Sequence, residues 1–470
     1  MEFVNNKLIE INEFLQEKKI AILGVNYSNV KLIEYLYNIQ ADDVTVFDLR
    51  EIENINGDLM NKVITCGMEY EVGSNCLRKL SGFDIIFKAP NYYPSIPEIV
   101  SEVMRGTILT SELELFMDIC PGKIIGVAGT DGKMTTSVLI CEILKAGGYK
   151  AYIGGTDEYP LFYKLEEMTP EDYIVLSLSN EQLINMKISP NISIITDIEQ
   201  SDLKINYSFE DYINNLKNMY LNQKENDVLI LNYDNEILRE FEKEAKSKVT
   251  CFGQNKIEHG YIVNENKIKF CESELRIHLL DTRNLNIRGT HNFKNATAAI
   301  IATSDLVDLE TSISTLKEFV GLENRLELIY ETEDRISWYN DAASIKPSRT
   351  ISALDSFPIR NIILITGGDI NEYSYEKLGK PIVNSCKDLI LIGENSEIIE
   401  DAIKPNLRNT SNKVKTYKID SLKEAVKLAK KIAVKGDVVL FSPAGEQKSK
   451  YKDFKESGKE FKKILYDIYE

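Results

Sequence analysis

Short apolar runs alternate with amphipathic segments along most of the chain. The first example is the run KKIAILGV at residues 18–25, which is followed by SNVKLIEYLYNI at 28–39 and by DVTVFDLR at 43–50. The apolar runs have the length of buried strands, and the segments between them place apolar residues at helical spacing. This alternation predicts an α/β protein built on parallel sheets.

The first strand and helix predict a Rossmann-like opening. The turn from Gly24 to Asn29 keeps only the first glycine of the pattern G-x-G-x-x-G, so by itself it is a weak dinucleotide motif. The next strand ends at the acidic residue Asp48. Prolines interrupt the alternation in KAPNYYPSIPE, residues 88–98, and they predict that a first domain, residues 1–98, ends there.

Two further α/β domains are predicted. The central domain, residues 99–322, begins with a helix, a strand and a glycine-rich loop, and between residues 249 and 289 its pattern changes to short alternating strands. These strands predict a small antiparallel patch. The C-terminal domain, residues 323–470, again alternates strands with helices and is predicted to be Rossmann-like.

The composition is that of a globular protein with an acidic excess. The formal net charge is -17, which disfavours nucleic-acid binding because that function needs a basic surface. No apolar run is long enough to cross a membrane and the start of the chain lacks a signal-peptide core, so a cytoplasmic protein without membrane contact is expected. The seven cysteines include no C-x-x-C pair, which implies neither a disulfide framework nor a zinc site.

The sequence GVAGTDGK, residues 126–133, predicts a phosphate-binding loop because it follows an apolar strand and opens a helix. In this context backbone N–H groups cradle phosphates and Lys133 neutralises their oxygens. A glycine turn with a surface lysine is the alternative. Met134 stands where a hydroxyl residue normally holds Mg²⁺, and its thioether is a poor ligand for a hard cation. Thr135 and Thr136 follow, but helical side chains rotate by about 100° per residue, so neither replaces that hydroxyl directly.

Eight motifs, in order, resemble those of the Mur ligases, the ATP-dependent amide-forming enzymes of peptidoglycan synthesis. Within that family they are most similar to the D-glutamate-adding members. Each motif is modest alone, but together they cover nearly the whole chain. The motifs are TSELELF, GTDGKMTTS, DYIVLSLSNEQL, RGTHNFKNATAA, GLENRLE, WYNDAASIKPSRTISAL, LITGGD and GDVVLFSPAG.

This resemblance implies a ligase that adds D-glutamate to UDP-N-acetylmuramoyl-L-alanine. ATP phosphorylates the substrate carboxylate, the amine of glutamate attacks the acyl phosphate, and phosphate leaves the tetrahedral intermediate. The resemblance also implies that the N-terminal domain binds the UDP-linked substrate, the central domain binds ATP and the C-terminal domain binds the amino acid. A monomer is expected, with ATP and Mg²⁺ as cofactors.

Individual residues take roles from the same resemblance. Lys133 and His291 are assigned to catalysis, and a structural histidine is the alternative for His291. ATP contacts are implied for Gly129, Thr130, Asp131, Gly132, Lys133, Met134, Thr135, Asn292, Asn295, Arg325 and Asp341. Substrate contacts are implied for Gly24, Val25, Asp48, Gln447 and Phe454. An ion pair is the alternative for Arg325 and Asp341, and a core position is the alternative for Phe454.

Four positions around the implied metal site depart from the family pattern. Met134 replaces a hydroxyl residue, Ser177 a glutamate, Asp202 a histidine, and Leu216 a lysine that family members carbamylate. Thr135 and Asp202 stay candidate metal ligands. We therefore expect one weak Mg²⁺ site through the ATP phosphates, and we expect the second metal to be absent.

Substrate positions depart from the family pattern as well. Thr156 and Asp157 stand in the run that meets the sugar, and the added carboxylate disfavours an anionic substrate there. Gln447 replaces a serine of the glutamate-binding motif, and Asn371 replaces a basic residue.

Three functions are compatible with this sequence. The first is a working Mur-type ligase. The second is a related paralogue that binds nucleotide or precursor without joining them, in a regulatory or scaffolding role. The third is a phosphate-loop ATPase or kinase outside the family, which leaves the later motifs to coincidence.

Overall fold

The computed structural model describes residues 3–156, 159–199, 208–254, 257–264, 267–357, 360–371, 373–408 and 410–469. Its strands form three sheets of five, nine and six strands. Residue contacts divide the chain into two compact units. The first unit comprises 1–263, 269–279 and 294–316, and the second comprises 264–268, 280–293 and 317–470. The predicted α/β class with mainly parallel sheets is confirmed.

The five-stranded sheet is the predicted Rossmann-like opening. Its elements are α1 (Asn6–Gln16), β1 (Ile20–Leu23), α2 (Tyr27–Asn38), β2 (Val44–Asp48), α3 (Gly57–Thr65), β3 (Glu69–Val72), β4 (Ile85–Lys88), α4 (Pro97–Met104), β5 (Ile108–Thr110) and α5 (Glu112–Ile119). The strand order is β3-β2-β1-β4-β5, and the neighbouring strands run parallel. β1 and β4 are buried along their whole length, as expected for strands covered on both faces. β5 follows the predicted boundary at residue 98, and the three domain boundaries stay a prediction.

The nine-stranded sheet carries the glycine-rich loop. Its elements are β6 (Lys123–Ala128), α6 (Lys133–Ala146), β7 (Ala151–Gly154), β8 (Tyr173–Ser177), α7 (Asn180–Leu183), β9 (Ile192–Ile195), α8 (Phe209–Lys217), β10 (Val228–Asn232), α9 (Glu236–Glu244), β11 (Lys248–Gly253), β12 (His259–Val263), β13 (Lys267–Glu272), β14 (Leu275–Asp281), α10 (Thr290–Thr303) and α11 (Leu309–Glu318). The strand order is β14-β13-β12-β11-β10-β9-β6-β8-β7.

The predicted antiparallel patch is partly wrong. β11 pairs in parallel with β10, and β12 pairs in parallel with β11, so both continue the main sheet. Only β12, β13 and β14 follow one another through connections too short for a parallel crossover, and such neighbours are antiparallel. The short alternating runs predicted the strands correctly. The direction of their pairing depends on which sheet edge is free for each strand, and the local sequence does not indicate that.

The six-stranded sheet belongs to the second compact unit. Its elements are β15 (Glu327–Glu331), β16 (Ser337–Asn340), α12 (Pro347–Leu354), β17 (Ile362–Thr366), α13 (Gly379–Ser385), β18 (Cys386–Leu391), α14 (Ser396–Leu407), β19 (Lys415–Lys418), α15 (Leu422–Ile432), β20 (Val438–Phe441) and α16 (Phe454–Tyr469). The strand order is β15-β16-β20-β17-β18-β19, and only β15 runs antiparallel to its neighbour. Helix α16 covers one face by packing Phe461 against Trp338 and Phe441.

Short 3-10 helices complete the described secondary structure. They span Ile52–Asn54, Cys76–Lys79, Phe162–Glu167, Thr282–Asn284 and Glu376–Leu378. All seven cysteines are free thiols. Among the helices that the structure describes, none combines the length and apolarity needed to cross a membrane.

Candidate functional site

The glycine-rich loop joins the end of β6 to the start of α6. Gly132 caps this helix at a φ of +83°, a backbone conformation that favours glycine. A Cβ at Gly132 would overlap Oδ1 of Asn295, which is buried in α10. Gly132 and Asn295, which are 163 residues apart in the sequence, are therefore in close contact at the loop. The first turn of α6 directs its backbone N–H groups to the loop, which is the arrangement that binds phosphate.

The Lys133 side chain folds back over the loop. Its Nζ donates hydrogen bonds to the carbonyl oxygens of Gly129 at 2.7 Å and of Thr130 at 3.0 Å. The Thr196 hydroxyl donates to the carbonyl oxygen of Asp131 and so fixes the middle of the loop. The ammonium group is thus held beside the N-terminus of α6, where it can offset the charge of a bound phosphate.

Three hydroxyl groups in the loop and in α6 are buried and have no hydrogen-bond partner among the described residues. They belong to Thr130 in the loop and to Thr136 and Ser137 in α6. Buried hydroxyls are normally paired, so an unpaired group at a binding loop is consistent with a polar ligand. Met134 is half-buried and Thr135 is buried on the same helical turn.

The described residues do not form a site in which protein side chains alone hold a metal ion. Within the described ranges, no three His, Cys, Asp or Glu side chains form a metal-binding group. Ser177 is buried at the end of β8, and Leu216 is fully buried in the apolar core beneath α8. Asp202 and Asp157 lie outside the described residues. A hard divalent cation prefers several oxygen ligands, which Met134 and Leu216 cannot supply.

The residues of the motif RGTHNFKNATAA lie at the start of α10. His291 and Asn292 are half-buried members of the second compact unit, and Asn292 donates to the carbonyl oxygen of Arg288 at 2.7 Å. Asn295 belongs to the first unit with the loop. Lys294, between them, forms an ion pair with Asp234 at 2.6 Å.

The predicted substrate residues of the first sheet lie together at one turn. Asp48 accepts the backbone N–H of Val25 at 2.8 Å and pairs with the Arg50 guanidinium at 2.7 Å. Burial raises the pKa of Asp48, but the Arg50 hydrogen bonds outweigh it, so the pKa lies below its usual value. Gly24 has a φ of +95°, and a Cβ there would lie 2.9 Å from Ala89. The Asp48 carboxylate therefore bonds both Arg50 and Val25. These contacts fix the turn that follows β1.

Arg325 and Asp341 lie close together in the second unit. Asp341 is fully enclosed and accepts hydrogen bonds from the backbone N–H of Leu326 at 3.1 Å and from the Ser442 hydroxyl at 2.8 Å. Burial raises the pKa of Asp341 to about 6, although the Ser344 and Ser442 hydroxyls and Arg325 oppose this rise. The carboxylate therefore organises the end of β16 and the loop before β15.

Gln447 and Phe454 line one cavity of about 170 Å³ in the second unit. The Gln447 amide donates to the carbonyl oxygen of Gly367 at 3.0 Å, while its Oε1 is buried and has no partner in the part of the chain that the structure describes. This glutamine thereby joins the ends of β20 and β17. The Asn371 amide donates to the Tyr375 hydroxyl at 3.0 Å, so it is not among the residues that line this cavity.

The structure thus gathers the predicted residues into separate clusters. Loop residues meet Asn295, Val25 meets Asp48, Arg325 meets Asp341, and Gln447 meets Phe454. Sequence reasoning missed three partners of these clusters: Arg50, Thr196 and Ser442. Arg50 could have been found from its position two residues after Asp48. The other two contacts span 65 and 101 residues, and no local pattern indicates them.

Comparisons with protein families match two parts of the chain. The sequence model of the Mur ligase middle domain matches residues 127–303. The model described as "Mur ligase, glutamate ligase domain" matches residues 324–445.

Comparisons with curated proteins and solved structures extend this similarity. UDP-N-acetylmuramoylalanine--D-glutamate ligase of Acetivibrio thermocellus is 36% identical over 99% of this chain and 100% of that protein. The enzyme of the same name from Clostridium tetani is 34% identical over the same shares of the two chains. The fold is similar to that of the MurF ligase from Thermotoga maritima solved with ADP, with a TM-score of 0.58, 16% identity, and coverage of 95% of this chain and 98% of that one.

Proposed function

Since this chain belongs to the Mur ligase family, we propose that it is an ATP-dependent ligase that joins D-glutamate to UDP-N-acetylmuramoyl-L-alanine. The observation that carries the proposal is the 36% identity to a D-glutamate ligase over 99% of the chain. The preserved loop geometry around Lys133 and Gly132 supports ATP as the energy source.

The proposed reaction begins with transfer of the γ-phosphoryl group of ATP to the alanine carboxylate, which releases ADP and leaves an acyl phosphate. The amine of glutamate then attacks the carbonyl carbon. The tetrahedral intermediate expels phosphate and an amide remains. Lys133 and the N–H groups of α6 stabilise the charge on the transferring phosphoryl group, which is the main requirement of such a step.

Further roles follow for the second unit. Gln447 and Phe454 line the cavity in which the incoming amino acid lies, and Arg325 and Asp341 act together at the nucleotide. Asp341 holds the backbone of the Arg325–Leu326 segment, so its contribution is to position Arg325. His291 contacts the phosphates from the start of α10.

Mg²⁺ is expected for this family, but the described residues offer no protein cage for it. The cation would be held through the phosphate oxygens of ATP, where it would offset their negative charge. Thr135 and Asp202 stay the candidate protein ligands, and Asp202 lies outside the described residues. We propose a single cation and no second, bridging one.

Phosphate release tests the proposal directly. The purified chain is incubated with ATP, UDP-N-acetylmuramoyl-L-alanine and D-glutamate, and free phosphate and the UDP-linked dipeptide are measured. Product must depend on all three substrates, and L-glutamate in place of D-glutamate is the matched control. A folded chain that binds ADP but forms no product with any amino acid would contradict the proposal. The comparisons give a non-ligating paralogue no support, since the named relatives that span the chain are all ligases.

A further inference from the structure

Asp234 and Asn235 are adjacent polar residues that the proposed reaction leaves without a role. They lie between the end of β10 and the start of α9, in the same compact unit as the glycine-rich loop. Asn235 caps α9, because its side-chain oxygen accepts the backbone N–H groups of Ile237 and Leu238. The amide N–H group of Asn235 and the carboxylate of Asp234 make further contacts, and these lead to the loop.

The Asn235 side chain reaches one side of the glycine-rich loop through Asp197. Its amide donates to the Asp197 carboxylate and to the carbonyl oxygen of Ile198, each at 2.9 Å. The carbonyl oxygen of Asp197 accepts the backbone N–H of Thr130, a loop residue, at 3.0 Å. Because one amide bonds two consecutive residues after β9, it restrains the backbone segment that holds Thr130.

The Asp234 carboxylate reaches the other side of the loop through Lys294. It pairs with the Lys294 ammonium group at 2.6 Å, and only 16% and 18% of the two side chains are exposed, so solvent screens this pair weakly. The carboxylate also accepts the backbone N–H of Gln254 at 2.9 Å and is thereby anchored at the end of β11. Asn295, the residue after Lys294 in α10, lies against Gly132 in the loop.

The loop needs such support because glycines give it conformational freedom. Gly129 and Gly132 both have a positive φ, +126° and +83°, and glycine loses more conformational freedom on ordering than any other residue. Contacts that order the loop before the nucleotide arrives reduce the entropy cost of binding. The two sets of contacts meet the loop at Thr130 and Gly132, on either side of Asp131.

We propose that Asp234 and Asn235 are positioning residues that together hold the glycine-rich loop in the conformation that binds the phosphates of ATP. This inference rests on the proposed function for the identity of the nucleotide. Asn235 acts through Asp197, and Asp234 acts through the ion pair with Lys294. Neither residue has to touch the nucleotide.

ADP binding measured by calorimetry tests the inference without turnover. The proteins are the wild type, Lys294→Met, Lys294→Arg, Asn235→Ser and Lys217→Met. Lys294→Met removes the ion pair and keeps a long side chain, and Asn235→Ser keeps a capping hydroxyl for α9 while it removes the amide that bonds Asp197. Lys217→Met is the matched control, because it breaks an ion pair with Glu244 in the same compact unit.

Lys294→Met and Asn235→Ser should each weaken ADP binding by about tenfold or more, because small displacements of positioning groups have effects of this order. Lys294→Arg should retain the affinity to within about threefold, since a guanidinium group also pairs with a carboxylate. Lys217→Met should bind ADP as the wild type does.

The results separate this inference from the proposed function. Equal ADP affinities of the wild type and the folded Lys294→Met and Asn235→Ser variants overturn the inference and leave the proposed function intact. A loss in only one of these variants overturns the joint role of the two residues. A Lys294→Arg variant as weak as Lys294→Met shows that the ion pair does not hold the loop. A wild type that does not bind ADP overturns both proposals.

Steady-state kinetics separates positioning from a general structural role. In Lys294→Met the KM for ATP should rise by about the same factor as the dissociation constant of ADP, and the KM for D-glutamate should not change, since the proposed amino-acid cavity belongs to the second unit. A rise in both KM values, or a lower thermal midpoint with unchanged ADP affinity, assigns a structural role and overturns the inference. If a variant does not fold, Lys294→Gln and Asn235→Asp provide the same comparisons.

Discussion

Asp341 accepts the backbone N–H of Leu326 at 3.1 Å and holds that leucine at a φ of +46°. A positive φ strains a leucine, and such strain persists only where the surroundings impose it. Asn324, two residues earlier, is also at a positive φ of +63°. The segment around Arg325 is therefore fixed by a carboxylate fifteen residues further along the chain.

Asp341→Asn should destabilise the second unit. The amide keeps the volume but offers only one acceptor for the Leu326 N–H and the Ser442 hydroxyl, which costs roughly 1–3 kcal/mol. Urea unfolding measures the change. Asp401→Asn is the control, because Asp401 is exposed and pairs with Lys404 on the same helix. Equal free energies of unfolding for the two variants would show that the Leu326 contact does not stabilise the fold.

The same contact predicts a pH dependence. The pKa of Asp341 is about 6 in the folded chain against a usual value of 3.8, so the folded chain binds more protons between these pH values. Its contribution to the free energy of unfolding is complete below pH 3.8 and falls as the pH rises through 6. The difference in free energy of unfolding between wild type and Asp341→Asn should therefore decrease from about pH 4 to about pH 7. This is the interval over which the folded chain loses the extra proton. A difference in free energy of unfolding that does not change with pH would show that the pKa of Asp341 is close to its usual value.

Lys133→Ala should abolish most of the ligase activity. Removal of the ammonium group leaves the phosphoryl charge to the N–H groups of α6, and kcat/KM should fall by about 10²–10³-fold. Lys145→Ala is the matched control, since Lys145 is an exposed residue near the end of the same helix and pairs with Glu142. Steady-state phosphate release with saturating precursor measures both variants. Comparable losses in the two variants would argue against a specific role for Lys133.

Gly132→Ala should disturb the loop more than Gly148→Ala. Both glycines have a positive φ, +83° and +86°, so each alanine carries a similar backbone cost of about 1–2 kcal/mol. Only at Gly132 does the added Cβ overlap Asn295, whereas Gly148 faces open space. ADP titration should show a clear loss for Gly132→Ala and wild-type affinity for Gly148→Ala. If both variants bind ADP normally, Asn295 does not constrain the loop.

Met134→Ser should increase the dependence of nucleotide binding on Mg²⁺. A hydroxyl at this position adds a hard ligand to the first turn of α6, and ADP affinity with Mg²⁺ should improve by about tenfold over the affinity with a chelator. Met134→Leu keeps the apolar character and should resemble the wild type. Leu216→Lys is not a useful companion, because Leu216 is fully buried and the ammonium group would enter the core.

Gln447→Ala should impair binding of the amino acid and leave ATP binding unchanged. The substitution breaks the hydrogen bond to Gly367 and removes the unpaired Oε1 at the cavity. The KM for D-glutamate should rise by about tenfold, which is the effect of losing one hydrogen bond to a charged ligand. Lys450→Ala is the control, because Lys450 is exposed and its ammonium group donates to the carbonyl oxygen of Asp420. A change in the KM for ATP without a change in the KM for D-glutamate would show that the cavity does not bind the amino acid.

Part of the candidate site could be predicted from sequence because its pattern is local. The residues from Gly129 to Lys133 are consecutive, and they lie between a strand and a helix that hydrophobic periodicity reveals. The turn at Gly24 and the strand that ends at Asp48 are equally local. The contacts of Gly132 with Asn295 and of Asp341 with Ser442 could not be predicted, since each joins distant segments.

The amino-acid sequence by itself determined the α/β alternation, the loop and the family, because each depends on the order and spacing of nearby residues. Only the tertiary structure decided that β11 and β12 run parallel to the main sheet and that the Asp48 carboxylate pairs with Arg50. The physical reason is that pairing and burial depend on which distant surfaces meet, and a local pattern of polar and apolar residues carries no information on that choice.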